Sequence, residues 1–313
     1  MSRMLTWRYH LLSLVAVFLA LGLGVLVGIS LSDNGLVDTS QDVLVEDIQH
    51  NIDDLQNQNN LLGRDRAINQ RFQDDTFPFI VGGRLQGKRI AIVASSTAGD
   101  ELQRKLTSAV HGAGGQVVSN TVLNTRFDPP AVTAKIKAEL KNDTQFATVD
   151  DSTLITVVGR ELAREIGRSG GTRLLTTLQG TMVDSINGSY DAPVDAVVII
   201  TRSESDQAPA YSDLEKQFLL NLKELGVLSA AAEPTDAPRS EIPLFQSVDV
   251  SSVDNLDSRI GQVSLVYVLY GEKGSFGVKP SADLLIPILR SLKQSAAAAA
   301  PSSTPTTSVT PAT

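Results

Sequence analysis

The sequence predicts an α/β protein. Its core is a doubly wound, mostly parallel sheet, Rossmann-like or flavodoxin-like but without a dinucleotide fingerprint, preceded by a single N-terminal transmembrane helix and a coiled-coil stalk. Three observations carry this. Leu11 to Leu31 is an apolar run with no charged side chain. A polar, proline-free stretch over 36–75 places apolar residues at heptad spacing. From about residue 85, short apolar runs alternate with amphipathic segments, as strands and crossover helices do in βαβ units.

Residues 1–10 form a basic leader with Arg3 and Arg8, and 11–31 is the membrane segment. At about 1.5 Å rise per residue, a helix over 11–31 spans roughly 30 Å, the hydrocarbon thickness of a bilayer. The rival reading is a cleaved secretory signal, whose apolar core is about 7–15 residues and ends at a small-x-small site. This run is longer, and Ser30-Leu31-Ser32-Asp33-Asn34 offers only a weak cleavage site, so an uncleaved signal anchor is expected. The next arginine or lysine is Arg64, while Asp33, Asp38 and Asp42 follow the span. Basic residues stay inside, so the N-terminus is expected in the cytoplasm and the bulk of the chain outside it. Trp7 and Tyr9 suit the interfacial belt. Ala20, Gly24 and Gly28 repeat every fourth residue, a spacing that lets two membrane helices pack closely. The plainer alternative is that glycine is common in membrane helices. With no acid or base inside the span, no ion path through this helix is expected.

In the stalk, 36–75, Val45, Ile52, Asn59 and Arg66 fall at heptad position a, with Ile48, Leu55 and Leu62 at d. This seam predicts a parallel homodimer, and Asn59 is the type of polar a residue that selects register and oligomer state. The alternative is a solvated helix that holds the domain clear of the membrane. Phe77-Pro78 is expected to end the helix, because proline clashes with a continuing turn.

The external domain is expected over 85–293. Lys88 to Ala94 reads as a buried parallel strand, followed by a helix from Glu101 to Val110 with Leu102, Leu106 and Val110 on one face. Gly112, Gly114 and Gly115 end that helix, and Gln116 to Leu123 is the next strand. Pro129-Pro130 opens a helix carrying Val132, Ile136 and Leu140; Leu154 to Gly180 is mostly helical with a break at Gly170-Gly171. Val194 to Thr201 is the clearest strand, and Tyr211 to Leu225 is a helix with Leu214, Phe218 and Leu222 in register. Val227 to Ala231 and Val263 to Tyr270 are expected as strands, and Ala282 to Leu292 as a last helix despite Pro287. The tail, 295–313, is only Ala, Pro, Ser, Thr and Val and is expected to be disordered.

Composition excludes several functions. A net charge of −8 and a pI near 5.0 argue against nucleic acid as partner. With no cysteine there are no disulfides, thiolate metal sites or cysteine nucleophiles. The first strand-helix turn, Ser95-Ser96-Thr97-Ala98-Gly99-Asp100, has one glycine and an acid where a phosphate would sit, and no GxxxxGK[ST] or GxSxG occurs. Its hydroxyls are expected as helix caps, with a small ligand as the alternative. His111 is the one histidine within the domain; beside Gly112 it reads as a helix C-terminal partner, not a catalytic base. Asp150-Asp151 and Asp254 with Asp257 read as solvated acids, and Met182 is the lone soft ligand outside the membrane region. No catalytic residue, cofactor or metal ligand is therefore assigned, and no enzyme activity is expected.

The segment Ser252-Val253-Asp254-Asn255-Leu256-Asp257-Ser258-Arg259-Ile260-Gly261-Gln262-Val263, with Gly274-Ser275-Phe276-Gly277 and Ala282-Asp283-Leu284-Leu285, resembles the actinobacterial MctB copper transporter family. So do the one-span N-terminus, the stalk and the Lys88–Val93 strand, and the resemblance covers all but the tail. It singles out Asp254, Asn255, Asp257, Gly261 and Gln262; an Asn or Asp in such a place fixes a turn through side-chain to backbone bonds. Where this chain has Ser275-Phe276-Gly277 the family pattern is His-Tyr-Gly, so a role for that histidine is not carried over. The resemblance implies copper efflux across the cell envelope, with an outer-membrane location as one alternative and copper as the only implied metal. The residues themselves suit a scaffold that binds an envelope or cell-wall protein: one apolar helix makes no conduit alone, and barrel strands of about ten alternating residues are not apparent.

Overall fold

The computed structural model describes residues 3–33, 36–151, 153–204 and 207–287. The chain divides into two compact units, Met1–Arg71 and Phe72–Thr313.

The first unit is helical. α1 (Arg3–Asp33) contains the stretch Tyr9–Ser30, of mean hydropathy 2.7 and none of it buried within the chain, long and apolar enough to cross a bilayer. α2 (Leu36–Val81) carries the stalk residues. Along it Ile48, Ile52, Leu55 and Leu62 are exposed, as is Asn59; the side chain of Val45 lies outside the described residues. The helix does not end at Phe77-Pro78 as the sequence suggests. Pro78 sits inside its last turn, where the missing N–H removes a single helix bond, and Phe77 and Val81 bury their side chains in the domain core. The Gly82 N–H then closes the helix on the Pro78 carbonyl at 2.9 Å.

The second unit is a seven-stranded sheet with helices on both faces. Its elements run β1 (Arg89–Ser95), α3 (Gly99–Gly112), β2 (Gln116–Leu123), α4 (Pro129–Glu139), α5 (Leu154–Arg168), α6 (Arg173–Leu178), β3 (Val183–Gly188), β4 (Ala196–Ile200), α7 (Pro209–Glu224), β5 (Leu228–Ala232), α8 (Ile242–Ser247), β6 (Ser251–Val253), α9 (Arg259–Tyr270) and β7 (Ser275–Phe276). The order β3-β2-β1-β4-β5-β6-β7 is parallel throughout except for the β2–β3 pair. The chain reverses direction across the sheet between β1 and β4, the switch point where α/β domains place ligands. Successive strand residues face opposite layers, as the pleat requires. In β1, Ala91 and Val93 join the core under α4–α8, whereas Ile90, Ile92 and Ala94 join the core under α3, α9 and the end of α2. Both faces of β4 are therefore buried, which is why it reads as an unbroken apolar run.

Three expectations are corrected. Val263–Tyr270 is not a strand but most of α9. Ser258 caps that helix, accepting the Gly261 N–H at 3.0 Å, and burial nearly all round makes its apolar run look like a strand. Ala282–Pro287 is not helical. The Asp283 N–H donates to the Ser275 carbonyl (2.8 Å) and the Gly277 N–H to the Leu284 carbonyl (2.9 Å), so this segment lies beside β7 as an extended bridge. The rest of that expected helix, 288–292, and the tail at 295–313 lie outside the described residues. Finally, the hydroxyls after β1 do not cap α3, whose N-cap is Ala98 without a side-chain bond.

Candidate functional site

At the switch point those hydroxyls hold loops together instead. Thr97 Oγ1 donates to the Arg202 carbonyl (2.6 Å), the Arg202 N–H donates to Ser95 Oγ (3.2 Å), and the Thr125 N–H donates to Ser96 Oγ (3.2 Å). Ion pairs Arg202–Asp236 and Arg126–Glu204 cross the same loops. These bonds join the loops after β1, β2 and β4 to one another beside the switch point.

The chemistry gathers further along the rim, where β4, β5, β6 and β7 end. Asp254 is not the solvated acid that the sequence suggests: fully buried after β6, it accepts through its two carboxylate oxygens the Val278 N–H (2.7 Å) and the Lys279 N–H (2.9 Å), donors that stand in for water. Gly277 precedes those donors with φ +144°, and a Cβ there would stand 1.8 Å from Asp254 Oδ1. The Asn255 carbonyl accepts from the Ser258 N–H and hydroxyl, and a Cβ on Gly261 would lie 2.0 Å from that carbonyl. Asp257 Oδ1 accepts the Thr235 N–H (2.7 Å) and hydroxyl (2.9 Å). Gln262 accepts from Arg259 at 2.9 Å, and Arg259 also pairs with Asp74 and lies over the Phe77 ring. Residues 254–262 thus tie β6, the loops after β5 and β7, and residues 74–77 of α2 into one assembly.

Beside it lie three glutamates and a lysine. Glu233, fully buried at the end of β5, accepts from the Ser240 hydroxyl (2.7 Å), Lys279 Nζ (2.6 Å) and the Glu241 N–H (2.9 Å). Glu241 accepts from the Thr201 hydroxyl (2.5 Å) and Gln207 Nε2 (3.3 Å). Glu215 of α7 is 4 % exposed, and neither carboxyl oxygen has a hydrogen-bond donor. Burial, followed by the charge of Glu241, holds the Glu215 carboxyl well above the ordinary glutamate range. Burial, with Glu215 and Glu241 next, raises the Tyr211 phenol likewise.

The sequence-predicted residues fall into separate places. Asp254, Asn255, Asp257, Gly261 and Gln262 come together on the rim. Ala20, Gly24 and Gly28 lie on α1, where nothing within the chain approaches the two glycines, and the stalk residues lie on α2. His111 occupies the last turn of α3, and Met182 is buried. Among the described residues, no three His, Asp or Glu side chains are grouped to hold a metal ion. Glu215, Glu233, Glu241 and Lys279 went unremarked in the sequence. Glu215 had a visible signal, since it falls at helical spacing within the apolar stripe Tyr211, Leu214, Phe218 and Leu222.

A doubly wound, mostly parallel α/β domain, in a chain that also contains an apolar helix long enough to cross a bilayer, is the class of protein that the fold defines. More particularly, the chain matches the family described as "Copper transport outer membrane protein, MctB" over residues 4–287. It belongs to that family, and so to a copper-transport-related group of envelope proteins. No curated protein matches the sequence.

Proposed function

We propose that this chain serves copper homeostasis in the cell envelope as an anchored, non-catalytic component, with its N-terminus in the cytoplasm and its α/β domain outside. Family membership over 4–287 carries this reading, because the match takes in α1, α2 and the domain together. Copper enters as cargo. Soft copper(I) favours thiolate and thioether ligands, and this chain has no cysteine and buries Met182. The reading therefore gives the domain a supporting role in copper handling. The deciding experiment is the copper dose response of a deletion strain complemented with the full chain or with residues 32–313. Hypersensitivity rescued by the full chain alone is expected; an unchanged dose response on deletion would overturn the reading.

A second reading, a dimeric scaffold for cell-wall or septal machinery, is favoured by the exposed apolar stripe Ile48, Ile52, Leu55 and Leu62. Ile48→Asp combined with Leu55→Asp puts two charges at d positions and is expected to convert a dimer into a monomer, measured by light scattering of the full chain in detergent. Loss of wall-protein capture by this variant, with normal copper tolerance, favours the scaffold. A wild-type protein that is already monomeric removes the dimer from both readings.

A further inference from the structure

We propose that the face formed by the ends of α2 and α9 docks an acidic segment of another protein: Arg84 takes its carboxylate, and Phe79 takes the apolar side chain beside that carboxylate.

The face is built on one hydrogen bond. The Tyr267 hydroxyl donates to the Ile80 carbonyl at 3.0 Å, which lays the last turn of α2 against α9. Just past that turn, the Arg84 guanidinium stands 5.1 Å from the centre of the Tyr267 ring and 5.3 Å from the centre of the Tyr270 ring, within cation–π range of both. A guanidinium stacks with its flat face and keeps its in-plane N–H groups for other partners. Among the described residues no acid or carbonyl takes up those N–H groups, whereas Arg126, Arg173, Arg202 and Arg259 of the same domain each pair with a carboxylate. Two rings thus hold Arg84 in place and leave its donor edge unused.

The surroundings are apolar and rigid. Phe79 is 89 % exposed and Tyr270 56 %, and Ile80 is exposed as well. Phenylalanine, tyrosine and a stacked arginine are the residue types enriched in the core of protein interfaces. Behind them, Phe77 and Val81 are buried in the domain core and Asp74 pairs with Arg259. The helix end is therefore fixed before a partner arrives, and little ordering is lost on binding.

Charge selects the partner. A planar fork without an acid of its own matches a carboxylate in bidentate geometry. A single cation holds a protein only weakly to an anionic lipid surface, and a chain of net charge −8 is repelled by such a surface and by nucleic acid alike. An acidic protein segment with an apolar neighbour meets both halves of the face. Such a contact needs neither copper nor a stalk dimer.

Random short peptides displayed on phage and selected on the full chain in non-ionic detergent are expected to converge on Asp or Glu beside an apolar residue. A selected peptide, fluorescently labelled, is expected to bind Arg84→Met about ten- to a hundredfold more weakly, the range for hydrogen bonds to a charged group. Arg84→Lys keeps the charge without the fork and should fall between that variant and the wild type. Phe79→Ser should weaken binding about tenfold. Because Phe79 is almost wholly exposed, that variant is expected to keep the wild-type unfolding midpoint, so its lost binding is not lost folding. Selected peptides without acids, or equal affinity for Arg84→Met and wild type, overturn the proposal. So does displacement of the peptide by dioctanoyl phosphatidylglycerol, which would assign the face to a lipid headgroup. A wild-type oligomer that Arg84→Met dissociates would assign it instead to a second copy of the chain.

Discussion

Gly277→Ala is expected to destabilise the domain by about 4–5 kcal/mol, at the extreme of single substitutions, or to prevent folding. Two costs add. A φ of +144° is a conformation that side-chain-bearing residues adopt only under strain, worth about 1–3 kcal/mol. In addition the new Cβ would lie 1.8 Å from Asp254 Oδ1 and 2.2 Å from its Cγ, so the carboxylate must move. It cannot move without releasing the Val278 and Lys279 N–H groups, which leaves a fully buried acid without its donors. Gly271→Ala separates the two costs, since Gly271 also has positive φ (+127°) but nothing within 4 Å of its Cβ position. Denaturant unfolding of the full chain should rank Gly277→Ala well below Gly271→Ala. Asp254→Ala combined with Gly277→Ala should lose less than the sum of the two single variants, because removing the acid removes the clash. Equal midpoints for the two glycine variants would show that the Asp254 contact is not what Gly277 protects.

The fold was legible where one local signal matched one element. β1, β2, β4 and β5, and helices α3, α4, α5, α6 and α7, lie where their periodicity puts them, because each has a long enough apolar pattern and a turn or cap at its ends. The misreadings have physical causes. The run 263–270 has no polar face because α9 is buried nearly all round, and an unbroken apolar run has no period to read. β3, Val-Asp-Ser-Ile-Asn-Gly, is an antiparallel edge strand in which Asp184, Asn187 and Gly188 are of types that strands usually avoid. β6 and β7 are three and two residues long, held by pairing rather than propensity. On the rim the motif residues were visible, but the partners that explain them were not. Lys279 meets Glu233 across 46 positions and Asp254 reaches Val278 across 24, and no local pattern encodes such distances. The same holds for Ser95 and Thr97, whose hydroxyls meet Arg202 rather than the helix beginning beside them.

Lys279→Met is expected to cost about 3–5 kcal/mol, the range for breaking a buried ion pair by removing one partner. The side chains of Lys279 and Glu233 are 14 % and 0 % exposed, and methionine retains most of the aliphatic stem. The backbone N–H that binds Asp254 is unaffected by the change. What is lost is the ammonium between Glu233 and the Pro234 carbonyl, and with it the cation bonded to a carboxylate that also holds the Glu241 N–H. Glu233 keeps the Ser240 hydroxyl and the Glu241 N–H, so it stays solvated by dipoles but not neutralised. A surface pair makes the comparison: Lys223 and Asp249 are 55 % and 74 % exposed, and Lys223→Met should cost only about 0–1 kcal/mol. Adding Glu233→Gln to Lys279→Met removes the stranded charge, so the double variant should recover part of the loss and the cycle should show a coupling of about 1–3 kcal/mol. Denaturant midpoints of the four proteins measure it. A Lys279→Met loss no larger than that of Lys223→Met would mean that water reaches Glu233 and that the rim is open in solution.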